Sequence, residues 1–112
     1  MSKQDRILIV EDDALIAMDL EDELTDRGFD PVSAATIAHA QQVLESEPLM
    51  FVVLDMHLRS ETTFEFAREL QERGVAFLFL SGNDRSSLPE DLQSSKILEK
   101  PVHYDTLVEM IG

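Results

Sequence analysis

The feature that most constrains the fold is an alternation, along the whole chain, of short apolar runs and longer amphipathic segments. Residues 7–10 and 50–54 are continuous apolar runs rich in β-branched side chains, the pattern of strands buried on both faces. Between such runs apolar residues recur at helical spacing, as at Ile16, Leu20 and Leu24. Strands that alternate with helices favour a parallel sheet, because each helical crossover returns the chain to the same end of the sheet.

The full pattern predicts an α/β fold of the (βα)5 type, a doubly wound five-stranded parallel sheet with helices on both faces. Strands are expected at 7–10, 29–34, 50–54, 75–80 and 96–99. Helices are expected at 14–27, from Thr36 to 46, at 63–73 and at 104–111. Residues 82–95 leave room for only a turn or two around 89–93, so a reduced fourth helix is expected.

Charge and composition exclude several classes of function. The 112 residues include 9 Lys+Arg and 23 Asp+Glu, a formal net charge of −14. Nucleic acid and anionic membranes are bound through Lys and Arg, so neither is expected as a direct partner. The absence of Cys excludes disulfides and cysteine metal sites. No apolar run reaches the roughly 18 residues that span a bilayer, and no signal-peptide pattern opens the chain, so we expect a cytoplasmic domain.

Charged or hydroxyl side chains follow four of the five predicted strands. Glu11 and Asp12 follow the first strand, Asp55 the third, Ser81 the fourth and Lys100 the fifth. Parallel strands bring their carboxyl ends to one edge of the sheet, where sites form in open α/β folds. We therefore expect these five side chains to lie close together.

The chemistry of such a cluster is restricted. Crowded carboxylates repel one another unless a cation lies between them, and oxygen ligands without His or Cys favour Mg²⁺. An aspartate beside such a metal can attack a phosphoryl group and hold it as an acyl phosphate. A lysine and a hydroxyl group then stabilise the developing charge. Asp55 with an acidic pair, Ser81 and Lys100 is thus a complete set for accepting a phosphoryl group.

Four segments resemble the receiver domain of bacterial two-component response regulators. They are residues 7–13 (ILIVEDD), 53–58 (VLDMHL), 80–82 (LSG) and 99–102 (EKPV). Each motif alone is weak, but all four occur in order and in the matching strand context over essentially the whole chain. The resemblance implies one receiver domain over residues 1–112 with a flavodoxin-like strand order of 2-1-3-4-5.

The resemblance also implies the metal site and the phosphoacceptor. Asp12 and Asp55 would bind Mg²⁺ directly, together with the backbone carbonyl of His57, while Glu11 would bind through water. Mn²⁺ is a possible substitute. Asp55 would accept the phosphoryl group from a sensor histidine kinase or a phosphotransfer protein. Asp13 has no role in the family pattern and is expected to cap the first helix.

Other expectations concern switching. The resemblance assigns Ser81 as the switch hydroxyl and Lys100 as the phosphate-contacting lysine, and it implies a cis Lys100–Pro101 bond. His57 and Asn83 match positions that tune hydrolysis of the phosphoryl group. The domain would be a signalling phosphoacceptor and not a conventional enzyme, although it would support its own phosphotransfer and dephosphorylation. An unidentified downstream protein would read the change, with the domain a monomer or weak homodimer.

Three positions depart from the family pattern. Arg59 and Thr63 stand where receivers commonly have Pro and Gly, and Ile97 stands where an aromatic residue is usual. These departures favour the main alternative, a receiver-like interaction module that is not phosphorylated. The reduced fourth helix alters the surface that many receivers use for output. No output domain follows Gly112, so output is expected through protein contact unless the chain is an excerpt.

Three further alternatives to a phosphoacceptor are a flavin or nucleotide site, an aspartate-based phosphatase and a purely structural role for the acids. A flavin or nucleotide site would need a Gly/Ser/Thr-rich loop after the first strand, where this chain has acids that repel phosphate. An aspartate-based phosphatase would need a second Asp at the position of His57. Acids at a strand-to-helix junction also serve as partners of the helix dipole, and Ser81 also suits an ordinary turn. The joint presence of the acids, Ser81 and Lys100 favours the phosphoacceptor.

Overall fold

The computed structural model describes residues 5–59, 61–82 and 88–112. Within these residues, strands and α-helices alternate as predicted. The strands are β1 (Arg6–Val10), β2 (Asp30–Ala34), β3 (Phe51–Asp55), β4 (Phe77–Ser81) and β5 (Ile97–Glu99). The α-helices are α1 (Ala14–Asp26), α2 (Ile37–Ser46), α3 (Phe64–Arg73) and α4 (Tyr104–Ile111).

The strands form one parallel sheet in the order β2-β1-β3-β4-β5. This confirms the predicted doubly wound fold. The strand order reverses between β1 and β3, the position at which open α/β sheets form their sites. At that point Val10 of β1 pairs with Leu54 of β3, so the residues that follow β1 and those that end β3 meet at one edge.

Helices cover both faces of the sheet, and successive side chains of β1 point to opposite faces. Ile7 and Ile9 belong to an apolar cluster with α1 and α4, whereas Leu8 and Val10 belong to a cluster with α2 and α3. All four side chains are fully buried, which explains the continuous apolar run in the sequence. β2 is less buried and lies at an edge of the sheet, as Pro31 at its start predicts.

The helix ends follow signals that the sequence provides. The Asp13 carboxylate accepts hydrogen bonds from two backbone N–H groups in the first turn of α1, which confirms its predicted capping role. The Thr36 hydroxyl caps α2 in the same way. Gly74 ends α3 with a φ of 72°, a left-handed conformation that glycine adopts without a steric penalty.

Three boundaries between α3 and β5 differ from the prediction, and one of them is the end of β4, which lies at Ser81, one residue later than expected. β4 begins at Phe77 and not at Val75, because the Val75 N–H donates to the Leu70 carbonyl (2.9 Å) at the end of α3. β5 begins at Ile97, one residue later than expected. The reduced fourth helix is a single 3-10 turn at Glu90–Leu92 in the part of this connection that is described. None of the described helices combines the length and apolar character needed to cross a membrane.

Candidate functional site

The carboxyl ends of β1, β3 and β5 bring three carboxylates and one lysine together. Glu11, Asp12 and Asp55 each contribute an oxygen atom that lies within 4.8 Å of the other two. The Nζ atom of Lys100 is 3.2 Å from Oδ2 of Asp55 and 3.5 Å from Oε1 of Glu11. These four residues therefore form one cluster, although Glu11 and Lys100 are 89 positions apart in the chain.

Ser81 lies at the same edge of the sheet, between the strands that carry Asp55 and Lys100. It is the last residue of β4 and is 1% exposed. Asp55 pairs in register with Leu80, the residue before Ser81. The backbone carbonyl of Ser81 accepts a hydrogen bond from the N–H of Lys100 (2.8 Å), and the Lys100–Pro101 peptide bond is cis, as the family resemblance implies.

Burial and the neighbouring charges shift the pKa values of Glu11 and Lys100 in this cluster. Glu11 is 3% exposed and Asp55 is 9% exposed. Burial raises the pKa of Glu11 to about 7, and the hydrogen bond and negative charge of Asp55 act in the same direction. Burial would lower the pKa of Lys100, but the attraction of Asp55 and Glu11 outweighs it and raises that pKa above its usual value. Lys100 contacts two of the three acids, Glu11 and Asp55, and this excess of carboxylates favours the binding of a further cation.

The raised pKa of Glu11 gives a testable dependence of stability on pH. In a chelating buffer, folded Glu11 retains a proton that the unfolded chain releases above the ordinary glutamate pKa of 4.5. The stabilisation is therefore present at low pH and is lost as pH rises through about 7. We expect a loss of roughly 2 kcal/mol of unfolding free energy between about pH 5 and pH 8. Denaturant unfolding of the parent and of Glu11→Gln measures it, and equal pH profiles for the two proteins would contradict it.

The donor set fits a hard divalent cation. Every candidate side-chain ligand in the cluster is a carboxylate oxygen, which Mg²⁺ and Mn²⁺ accept. The Asp12 side chain is 19% exposed, so the cluster is open to solvent on that side. The three acids predicted to hold a metal are thus positioned to do so.

The loop that follows β3 makes hydrogen bonds to two of these carboxylates. The backbone N–H of His57 donates to Oδ1 of Asp55 (3.3 Å), and the backbone N–H of Arg59 donates to Oδ2 of Asp12 (2.7 Å). The loop therefore links the acid at the end of β3 to the acid after β1. This contact of Arg59 was not predicted, because a backbone donor carries no signature in the side-chain sequence.

Thr63, at the end of this loop, is fully buried. Its hydroxyl donates to the backbone carbonyl of Asp55 (2.7 Å) and lies 3.2 Å from the carbonyl of Met56. Its φ of −101° requires no glycine, which explains how threonine is accommodated where receivers commonly have Gly. In the sequence Thr63 stands out only as a departure from the family, and its contact with the backbone of Asp55 was not predicted.

Removal of the Thr63 hydroxyl should destabilise the protein. Thr63→Val keeps the shape of the side chain but removes the hydroxyl that donates to the backbone carbonyl of Asp55, at an expected cost of about 1–3 kcal/mol. Thr63→Ser retains the hydroxyl and should cost less. Because the chain has no Trp, unfolding is best followed by far-UV circular dichroism. Thr62→Val at the exposed neighbouring position is the matched control, and an equal loss in both valine variants would refute the assigned role.

The remaining predicted residues lie around the cluster or outside the described part. The His57 side chain is exposed, and its ring packs edge-on against Phe64 with 5.7 Å between the ring centroids. Ile97 is partly buried and packs against the apolar cluster under α2 and α3. Asn83 lies outside the described residues, so the structure describes only one of the two proposed tuning positions.

Comparison with protein families and curated proteins gives two findings. The family model of the response regulator receiver domain matches residues 7–112. The chain is 26% identical over 110 residues to the sensory transduction protein BceR of Bacillus subtilis (strain 168). This match covers 95% of the chain and 48% of BceR, so the chain spans about half the length of that relative.

Several solved structures are similar to this chain in fold. The chain is 34% identical to SdrG from Sphingomonas melonis Fr1, whose solution structure matches with a TM-score of 0.84 over 99% of this chain and 96% of that one. The BeF3-activated conformation of SdrG from Pseudomonas melonis Fr1 matches with a TM-score of 0.78 at 34% identity, over 97% of this chain and 94% of that one. A response regulator receiver protein from Pseudomonas putida, 21% identical, shares the fold with a TM-score of 0.84 over 99% of this chain and 98% of that one.

Proposed function

The chain belongs to the response regulator receiver domain family, and from this premise we propose that Asp55 accepts a phosphoryl group from a sensor histidine kinase or a phosphotransfer protein. The observation that carries the proposal is the contact of the Lys100 ammonium with the Asp55 carboxylate, 3.2 Å apart. A cation at this distance would stabilise the negative charge that develops as the phosphoryl group is transferred, which supports the proposal.

The proposed metal site uses the acids of the cluster. Asp12 and Asp55 would hold Mg²⁺ directly, with the backbone carbonyl of His57, and Glu11 would hold it through water; Mn²⁺ is a substitute. The bound ion supplies positive charge that offsets the carboxylates and the phosphoryl oxygens. The fit of three carboxylate oxygens within 4.8 Å of one another supports this assignment.

In the transfer itself, a carboxylate oxygen of Asp55 forms the new bond to phosphorus. The bond from phosphorus to the donor nitrogen breaks, and the released imidazole takes up a proton. Lys100 keeps the attacking carboxylate in place and then contacts the phosphoryl oxygens, while the Ser81 hydroxyl donates to one of them. Hydrolysis of the acyl phosphate within the domain returns Asp55 to its free state.

The signal would be a change in the surface near β4, β5 and α4. Phosphorylation would draw Ser81 and Lys100 toward the new group, and a downstream protein would recognise the result. His57 and Asn83 would set the lifetime of the phosphoryl group. We propose that residues 1–112 act as a single cytoplasmic receiver domain, as a monomer or a weak homodimer.

The surface of α1 supports a protein as the phosphoryl donor. Leu15 and Met18 are exposed by 74% and 56%, and both lie on the first turns of α1, just after the acidic residues of the site. Neighbouring exposed apolar side chains of this kind are typical of protein contact surfaces. A donor that packs on them would bring its phosphohistidine close to Asp55.

Incubation with acetyl phosphate and Mg²⁺, followed by intact mass measurement, tests the proposed function. We expect the mass of one phosphoryl group to be added, and we expect a chelator to prevent the addition. A protein that gains no phosphoryl group would support the interaction module instead. Modification that persists in the chelator would refute the metal assignment.

A further inference from the structure

Arg59 differs from the other described arginines in its surroundings. Its side chain is 84% exposed, and its Nε lies 4.0 Å from Oδ2 of Asp12. The side chains of the other described arginines are 23–39% exposed, and each makes an ion pair with at least one acid at 3.7 Å or less. They are Arg6, Arg27, Arg68 and Arg73. The guanidinium of Arg59 is thus the most available of these groups for an incoming ligand.

The backbone of Arg59 holds its side chain near the site. The N–H of Arg59 donates to Asp12 at 2.7 Å, so the residue is tied to the edge of the acidic cluster. The Asp12 side chain is 19% exposed whereas Glu11 is buried, so the cluster is open to solvent at the acid that Arg59 contacts. The guanidinium therefore stands beside the open side of the cluster.

A positive group such as the Arg59 guanidinium would help an anionic phosphoryl donor to approach this site. The chain has a net charge of −14, and the site itself contains three carboxylates. These negative charges repel a doubly negative phosphoryl donor and lower the concentration of the donor near Asp55. A guanidinium attracts phosphate and presents two parallel N–H groups to its oxygens.

We propose that Arg59 is a specificity-determining residue that attracts the anionic phosphoryl group of the donor to Asp55. The inference rests on the proposed function and deepens it. The same positive charge opposes a second cation beside Asp12, so Arg59 weakens the binding of Mg²⁺ while it strengthens the binding of the donor. Removal of the Arg59 charge should therefore strengthen the binding of Mg²⁺ and weaken the binding of the donor.

Transfer of the phosphoryl group to Asp55 requires only the donor and the carboxylate as reactants. With acetyl phosphate as the donor, an oxygen of Asp55 forms a bond to phosphorus, and the bond from phosphorus to the acetyl oxygen breaks. Acetate leaves with the electron pair of that bond, and no proton, oxidant or reductant is required. Arg59 takes part only by attracting the donor and forms no bond to the transferred group.

Initial rates of Asp55 phosphorylation, measured against donor concentration at saturating Mg²⁺, test the proposal. We expect Arg59→Gln to raise the KM for acetyl phosphate about threefold at low salt and to leave the maximal rate unchanged. The increase should be smaller for phosphoramidate, which is singly negative, and should disappear at high salt. Arg59→Lys keeps the charge and should remain close to the parent.

Titration calorimetry with Mg²⁺ alone supplies a readout independent of phosphorylation. Arg59→Gln should bind Mg²⁺ about threefold more tightly than the parent, because a repelling charge is gone. Arg73→Gln removes the same charge from a group paired with Glu45 and Glu69 at the other end of α3, and it should change neither quantity.

The outcomes separate this inference from the proposed function. Equal KM values for the parent and Arg59→Gln, or weaker Mg²⁺ binding by the variant, would overturn the role of Arg59 while the phosphorylation of Asp55 stands. An equal effect of Arg73→Gln would show a response to net charge and would overturn it as well. If the parent gains no phosphoryl group on Asp55, the proposed function fails and the inference fails with it.

Discussion

Asp55→Asn should gain no phosphoryl group from acetyl phosphate and Mg²⁺ under conditions in which the parent is modified. The amide oxygen of asparagine carries no full negative charge, so it does not form the acyl phosphate. The side chains have the same shape, and asparagine still accepts a hydrogen bond from Lys100 Nζ, which lies 3.2 Å from Oδ2 of Asp55. The expected effect is therefore a complete loss of modification in a folded protein.

Asp26→Asn is the matched control for this experiment. Asp26 is an exposed residue at the end of α1, and its replacement makes the same chemical change away from the cluster. We expect this variant to be modified as the parent is. A phosphoryl group found on Asp55→Asn would show that another residue is the acceptor, and the assignment of Asp55 would then be wrong.

Lys100→Met should slow phosphorylation of Asp55 by about a hundredfold or more, because it removes the cation that faces the developing charge. It should also destabilise the metal-free protein, since buried Glu11 and Asp55 lose their only close cation among the described residues. We expect a loss of roughly 2 kcal/mol near pH 8, after allowing for the 27% exposure of the lysine. The loss should be smaller at about pH 5, where Glu11 is protonated.

Lys96→Met separates this effect from the simple loss of a positive charge. The Nζ atom of Lys96 lies 3.4 Å from the backbone carbonyl of Met110 and belongs to no described carboxylate cluster. We expect Lys96→Met to keep the phosphorylation rate of the parent. A destabilisation of Lys100→Met that is the same at both pH values would contradict the electrostatic explanation, even if phosphorylation were slowed.

The fold was predictable because its strands and helices differ in the period of their apolar residues. The buried run at 7–10 and the helical spacing of Leu20 and Leu24 lead to an α/β sheet without further information. Strand order came from the family resemblance, since periodicity does not specify which strands pair. The exact start of β4 was missed because Val75 is apolar enough for a strand, while its N–H closes the end of α3.

The candidate site was predictable to the extent that it depends on strand ends. Asp55 and Lys100 could be expected to meet because parallel strands share an edge, and the structure brings them together. The contacts of Arg59 and Thr63 could not be derived in this way. Both depend on the path of an irregular loop, and their hydrogen bonds to a carboxylate and to a backbone carbonyl leave no periodic pattern in the sequence.

Glu11 and Lys100 are 89 positions apart, so the two residues leave the ribosome at different times during synthesis. A nascent chain that has emerged only as far as β4 already contains Asp55 and the acids after β1, but it lacks the ammonium group that faces them. Its carboxylates repel one another, and an arriving phosphoryl group finds no positive partner. Under the proposed function, reactivity toward a phosphodonor would therefore begin only when β5 has joined the sheet and brought Lys100 to Asp55.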